Sequence, residues 1–171
     1  GGYILSILVL ALIMRPILVP VFLLAGVFVL PLMPDSIYNR VMTIFNSKDS
    51  SISSRKPVYD AVWKLIFHNP VFGVGLGTDV VKSSVLEKNY YTSSIPFVHA
   101  HSIYLQITAE LGVFGLFAFL GALLSGIKNG MKTVFGKRGS KRLQAIIAAQ
   151  IAAVAGILLC SWVDYPWSFP R

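Results

Sequence analysis

Acidic residues are scarce in this chain: Asp and Glu total 7 of 171 residues against 15 Lys and Arg, and charged residues of both signs make up only 13%. Such a low share excludes an ordinary soluble surface, which is about a quarter to a third charged. Cysteine is nearly absent. The single Cys160 lies in an apolar stretch, which leaves neither a disulfide framework nor a cysteine-metal site and makes the thiol a small hydrophobe. No initiator Met and no signal-peptide pattern stand at Gly1-Gly2, so the start reads as a truncation within a longer protein. Internal repeats are lacking, and the only biased tract is a small Ser cluster at Ser50 to Ser54.

What the chain has in place of charge is apolar residues, 55% of the total, gathered in blocks. Residues 17–33 and 143–163 carry no charge, and 103–125 carry only Glu110. Each is near the ~20 residues that cross a hydrocarbon core. A shorter block occupies residues 3–14. The expectation is an all-α integral membrane protein with about four transmembrane helices, at residues 1–14 (truncated), 17–33, 101–126 and 143–163. Pro16, Pro20 and Pro31 are tolerated in such helices and favour kinks.

A net charge of +8 on a soluble domain would point to nucleic acid, but here its distribution decides. Residues 127–142 hold Lys128, Lys132, Lys137, Arg138, Lys141 and Arg142 with no acid. By the positive-inside rule this loop is cytoplasmic, and no nucleic-acid partner is expected. Residues 34–100 mix both signs and by helix parity form a long extracytoplasmic loop, as does the end at 164–171. Within the long loop, Val58, Ala61, Val62, Leu65 and Ile66 fall on one helical face with Asp60 and Lys64 on the other, an amphipathic helix over residues 57–68. Ser53 or Ser54 suits its cap, Pro57 its first turn, and Asn69-Pro70 its stop. With Trp63 and Phe67 it would lie at the membrane surface or pack onto the transmembrane helices. The run Gly73-Val74-Gly75-Leu76-Gly77 lacks the strand and Lys-Ser/Thr ending of a phosphate loop and reads as a flexible turn, followed by a polar stretch through Lys88 to Ser94.

Candidate chemistry gathers at two places. Arg55, beside Lys56, stands at the front of the amphipathic helix, where free N–H groups and the helix dipole favour an anion and a guanidinium can grip a phosphate bidentately. The alternative is contact with lipid headgroups. His101 lies at the outer mouth of the third long apolar block, with His99 before it and Ser102 after it. A helix drawn from His101 puts Tyr104, Leu105, Thr108, Gly112 and Gly115 on one side. Small residues there admit a second helix or a bulky substrate, and an imidazole there can accept a proton. The alternative is an interfacial histidine bonded to backbone. A metal at His99 and His101 is disfavoured, since no third ligand stands at the right spacing. Glu110, on the far face from His101, reads as paired with another helix. Asp164, among Trp162, Tyr165 and Trp167, reads as a polar anchor or a supporting partner in an aromatic interface belt.

These residues resemble the O-antigen ligase and polymerase superfamily of bacterial membrane proteins. The stretch Arg55 to Gly77, with Tyr59, Trp63, His68-Asn69-Pro70 and Phe72 to Gly77, is similar to that family's large outer loop. His101-Ser102, nine residues, then Gly112-Val113-Phe114-Gly115 fits its signature of His, then Asn, Ser or Gln, nine positions, and G-x-x-G. Asp164-Tyr165-Pro166-Trp167 is similar to a weaker element. The resemblance implies a multi-pass protein of the bacterial inner membrane. Its activity would be that of a metal-independent, cofactor-free, inverting glycosyltransferase that moves a glycan from an undecaprenyl-diphosphate-linked donor to a sugar, lipid or protein hydroxyl. Carried over, His101 matches the histidine that activates the acceptor and Arg55 the arginine that neutralises the diphosphate, with Lys56, His99 and Tyr104 as substrate-binding neighbours. A second family arginine would precede Gly1, so the fragment alone is expected to be inactive. Two other classes stand beside this one: a transporter or channel component, and a non-catalytic scaffold that binds anionic membrane lipids through its basic loop.

Overall fold

The computed structural model describes residues 2–29, 32, 34–35, 38–39, 55–136 and 139–162. Its described residues are all-helical, in six main helices: α1 (Gly2–Met14), α2 (Leu18–Val29), α3 (Lys56–His68), α4 (Thr78–Glu87), α5 (Ile103–Phe135) and α6 (Lys141–Cys160). The chain divides into two compact units, residues 1–53 with 127–159 and residues 54–126 with 160–171.

In the first unit, Arg15 and its neighbours turn the chain between α1 and α2, the Leu18 N–H donating to the Arg15 carbonyl at 2.9 Å. The turn is tight, closed within residues 15–18. The two helices have 13 and 12 residues, about 20 Å each at 1.5 Å per residue, short of a ~30 Å hydrocarbon core. Helices α5 and α6 reach spanning length, with apolar windows of mean hydropathy 2.0 and 2.2. Of the four expected spans, two therefore have crossing length among the described residues; residues 30–31 and 33 lie outside them. Close packing is visible where side chains are missing: a Cβ on Gly156 of α6 would collide with Ser6 of α1, and one on Gly130 would crowd Ile147 and Ile151.

The basic loop is shorter than its charge run. Helix α5 continues through Lys128 and Lys132 to Phe135, and Lys141 and Arg142 already belong to the first turn of α6. Ser140 supplies that helix's cap, its Oγ accepting the Leu143 N–H at 3.3 Å. The Gln144 amide donates back to the Gly136 carbonyl at 3.0 Å. Lys137 and Arg138 are outside the described residues.

The second unit has a core of its own. The apolar face of α3 (Val58, Ala61, Val62, Leu65 and Ile66) is buried, as its spacing predicts, together with Val81 and Val85 of α4, Tyr91, Phe97, Ala100 and Ala109. This protein core, not a membrane surface, covers the face; Trp63 and Phe67 project from it, 47% and 75% exposed. Pro57 lies in the first turn and Asn69 caps the end, as expected, but the N-cap is Arg55, in a helical backbone conformation and with no side-chain capping bond. Ser53 and Ser54 are outside the described residues. Part of the stretch expected to be a glycine turn and polar loop is helix α4.

Candidate functional site

Helix α5 is interrupted. Gly112 has φ 70° and ψ −171°, a left-handed backbone that glycine adopts without steric cost. In an unbroken helix the Ala109 carbonyl would accept from the Val113 N–H. Here the Val74 N–H takes it at 2.9 Å, the Gly75 N–H takes the Glu110 carbonyl at 3.0 Å, and the Val113 N–H donates instead to the Pro70 carbonyl at 2.9 Å. The loop at residues 70–75 is thus bonded into the gap in α5. Expected as a flexible turn, it is fixed at three backbone points. Its approach leaves no room for side chains: a Cβ on Gly112 would run into the Val71 carbonyl, and one on Gly73 into the Ala109 and Glu110 peptides. What docks at Gly112 is this loop and not another helix.

The break separates two environments. Before it, Ile103, Gln106, Thr108, Ala109 and Glu110 are buried in the second unit; after it, Val113, Phe114 and Phe117 are exposed. Within residues 101–126 the buried positions end at Gly112.

His101 is not the first residue of α5, which starts at Ile103. Its backbone is left-handed, φ 49°, uncommon for a residue with a side chain. Three bonds surround it. The Tyr59 hydroxyl of α3 donates to the His101 carbonyl at 3.2 Å. The Ala100 N–H donates to Gln106 Oε1 at 3.0 Å, and Gln106 Nε2 donates to Glu110 Oε1 at 2.7 Å. Among the described residues Glu110 therefore pairs within its own helix, one turn from Gln106, where its angular position implied a neighbouring helix.

The remaining candidates fall around this point. The His99 and His101 rings are 4.3 Å apart, tilted by 51°, and among the described residues no third His, Cys, Asp or Glu joins them in a cluster. Arg55, the N-cap of α3, stands one turn before Tyr59, the Tyr59 N–H donating to the Arg55 carbonyl at 2.9 Å. Lys56 is exposed at the helix start. Tyr104 lines an apolar cavity of about 560 Å³ with Ser102, Leu105, Thr108, Tyr59 and Trp63, extending to Leu116, Leu120 and Trp162. Tyr104, Leu105 and Thr108 share a face there, as the helical offsets predict; Gly112 does not continue it. The sequence reading missed Gln106, and it gave Tyr59 no part in the site. For Tyr59 a signal existed, its one-turn spacing from Arg55; for Gln106 it was the four-residue spacing to Glu110 in a largely apolar stretch. Asp164 lies outside the described residues.

An apolar chain, all-helical among its described residues and with two helices long and apolar enough to cross a bilayer, has the make-up of a membrane protein. The sequence profile described as O-Antigen ligase (Wzy_C) matches residues 1–120, and the chain belongs to that family. Among curated proteins and among solved structures no match is found.

Proposed function

We propose that this chain carries part of the catalytic site of an inverting, metal-independent glycosyltransferase of the bacterial inner membrane, which moves a glycan from an undecaprenyl-diphosphate-linked donor to an acceptor hydroxyl on the extracytoplasmic side. Family membership supports membrane glycan transfer by an O-antigen ligase or polymerase. One geometric observation supports the assignment of residues: Tyr59 bonds the His101 carbonyl through its hydroxyl and the Arg55 carbonyl through its N–H, which links the backbones of the proposed base and the proposed cation through one residue.

The His101 imidazole removes the proton of the acceptor hydroxyl as its oxygen attacks the anomeric carbon. The bond from that carbon to the diphosphate breaks on the opposite face, and the electron pair leaves with the lipid diphosphate. Arg55 offsets the charge that develops there, with Lys56 adding to the local positive potential. The cavity beside Tyr104 and Leu105 offers apolar surface to the polyprenyl chain near its diphosphate, and His99 adjoins the acceptor.

Complementation by the full-length protein tests the reading. His101→Ala is expected to lower transfer by about 10²–10⁴-fold, the usual worth of a general base, and to abolish the cell-surface glycan ladder, and Arg55→Ala to weaken it severely. Normal ladders from both, at normal membrane abundance, would refute the assignment.

A further inference from the structure

We infer that Tyr59, Gln106 and Glu110 are positioning residues for His101, and that the glycine loop at residues 70–75 anchors them; the inference rests on His101 being the base proposed above. The bonds straddle the histidine. On one side the Ala100 N–H is held by Gln106, whose other amide atom is held by Glu110. On the other, Tyr59 holds the His101 carbonyl. The chain beyond is fixed as well, since the Ser102 carbonyl accepts from the Gln106 N–H at 2.9 Å and the Ile103 N–H donates to the Ser161 carbonyl at 3.0 Å. With both flanks fixed, His101 is kept at φ 49°, which an unrestrained histidine would leave for the right-handed or extended region.

The arrangement is buried: Ala100 and Gln106 are fully inaccessible and Glu110 is 8% exposed. Buried polar side chains of this kind fix one geometry when every member is satisfied. Both Gln106 amide atoms are engaged, and the orientation of the amide is set by Ala100, which can only donate. Glu110 is the end of this chain of bonds, and its own peptide is the one that Gly75 binds. The glycine loop thereby fixes the backbone of Glu110, whose side chain accepts from Gln106, whose amide oxygen accepts in turn from the Ala100 N–H beside the strained histidine. Neither Gln106 nor Glu110 is required to touch substrate. Their effect belongs in the orientation of the imidazole, where displacement by about 1 Å costs on the order of 10²-fold in rate.

The test is steady-state transfer by the full-length protein in lipid nanodiscs, with a polyprenyl-diphosphate-linked glycan as donor and kcat and KM measured separately. Gln106→Met keeps the volume and loses both bonds; kcat should fall at least about tenfold with donor KM within about twofold. Glu110→Leu should behave alike, whereas Glu110→Gln, whose amide oxygen can still accept, should recover most of the loss. Tyr59→Phe should lower kcat by about fivefold, the worth of one hydrogen bond, with little change in unfolding temperature. If Gln106→Met or Glu110→Leu fails to fold, Tyr59→Phe decides, since phenylalanine fills the same space. Unchanged kcat in the folded variants, or a rise in KM alone, overturns the inference, provided that His101→Ala is inactive. Full activity of His101→Ala would overturn the underlying reading instead.

Discussion

Gly112 and Gly115 stand in one short motif for different reasons. Gly112 is left-handed and faces the Val71 carbonyl; at Gly115 a Cβ would strike the Leu111 side chain folded over it by the break. Gly112→Ala would meet both backbone strain and a carbonyl that cannot move without opening the loop, and should destabilise the second unit by roughly 2–5 kcal/mol. Gly121 has nothing within 4 Å of its added Cβ, so Gly121→Ala should change stability by less than about 1 kcal/mol. Thermal unfolding of the two purified variants, compared with the parent, checks the contrast. The sequence reading placed both glycines on one helix face under His101 because its offsets assume an unbroken helix. Periodicity cannot register a break whose freed carbonyls are taken by a loop far upstream. His101 itself was legible as a candidate, while its left-handed backbone was not, since that depends on Tyr59 and Gln106 arriving from other turns of helix.

Among the elements, α3 was the most legible and α4 the least. Five buried positions of α3 recur at helical spacing and its ends are marked by Pro57 and Asn69, whereas α4 buries only Val81 and Val85, with Lys82, Ser83 and Ser84 between them, which reads as polar chain. A helix with two anchoring side chains leaves little hydrophobic periodicity. The same count says which element holds the unit together. Leu65 is fully buried, and Leu65→Ala should cost roughly 2–5 kcal/mol. Phe67, 75% exposed, should cost under about 1 kcal/mol as Phe67→Ala. Limited proteolysis within residues 55–100 should accelerate strongly in the first variant and barely in the second; equal rates would mean that the α3 face does not hold this core.

For the molecule as a whole, the charge run and the apolar helices were legible and their boundaries were not. Helix α5 extends past the expected start of the basic loop, because Lys128 and Lys132 can ride on the polar end of a long helix with their stems along apolar surface. This moves the positive charge without changing its sign or the side it favours. The lengths that can cross a bilayer are then the apolar parts of α5 and α6, and the orientation rule applies to the short connection between them. In an inner membrane the α4 helix should face outward and the connection inward. Replacing Cys160 by serine in the full-length protein leaves this region without a thiol, so that Asp79→Cys and Lys132→Cys can each be introduced alone. A membrane-impermeant maleimide should label the first in intact spheroplasts and the second only after permeabilisation. The reverse pattern would put the Arg55 and His101 edge on the cytoplasmic side, away from an exported lipid-linked glycan, and the glycan-transfer reading would lose its substrate.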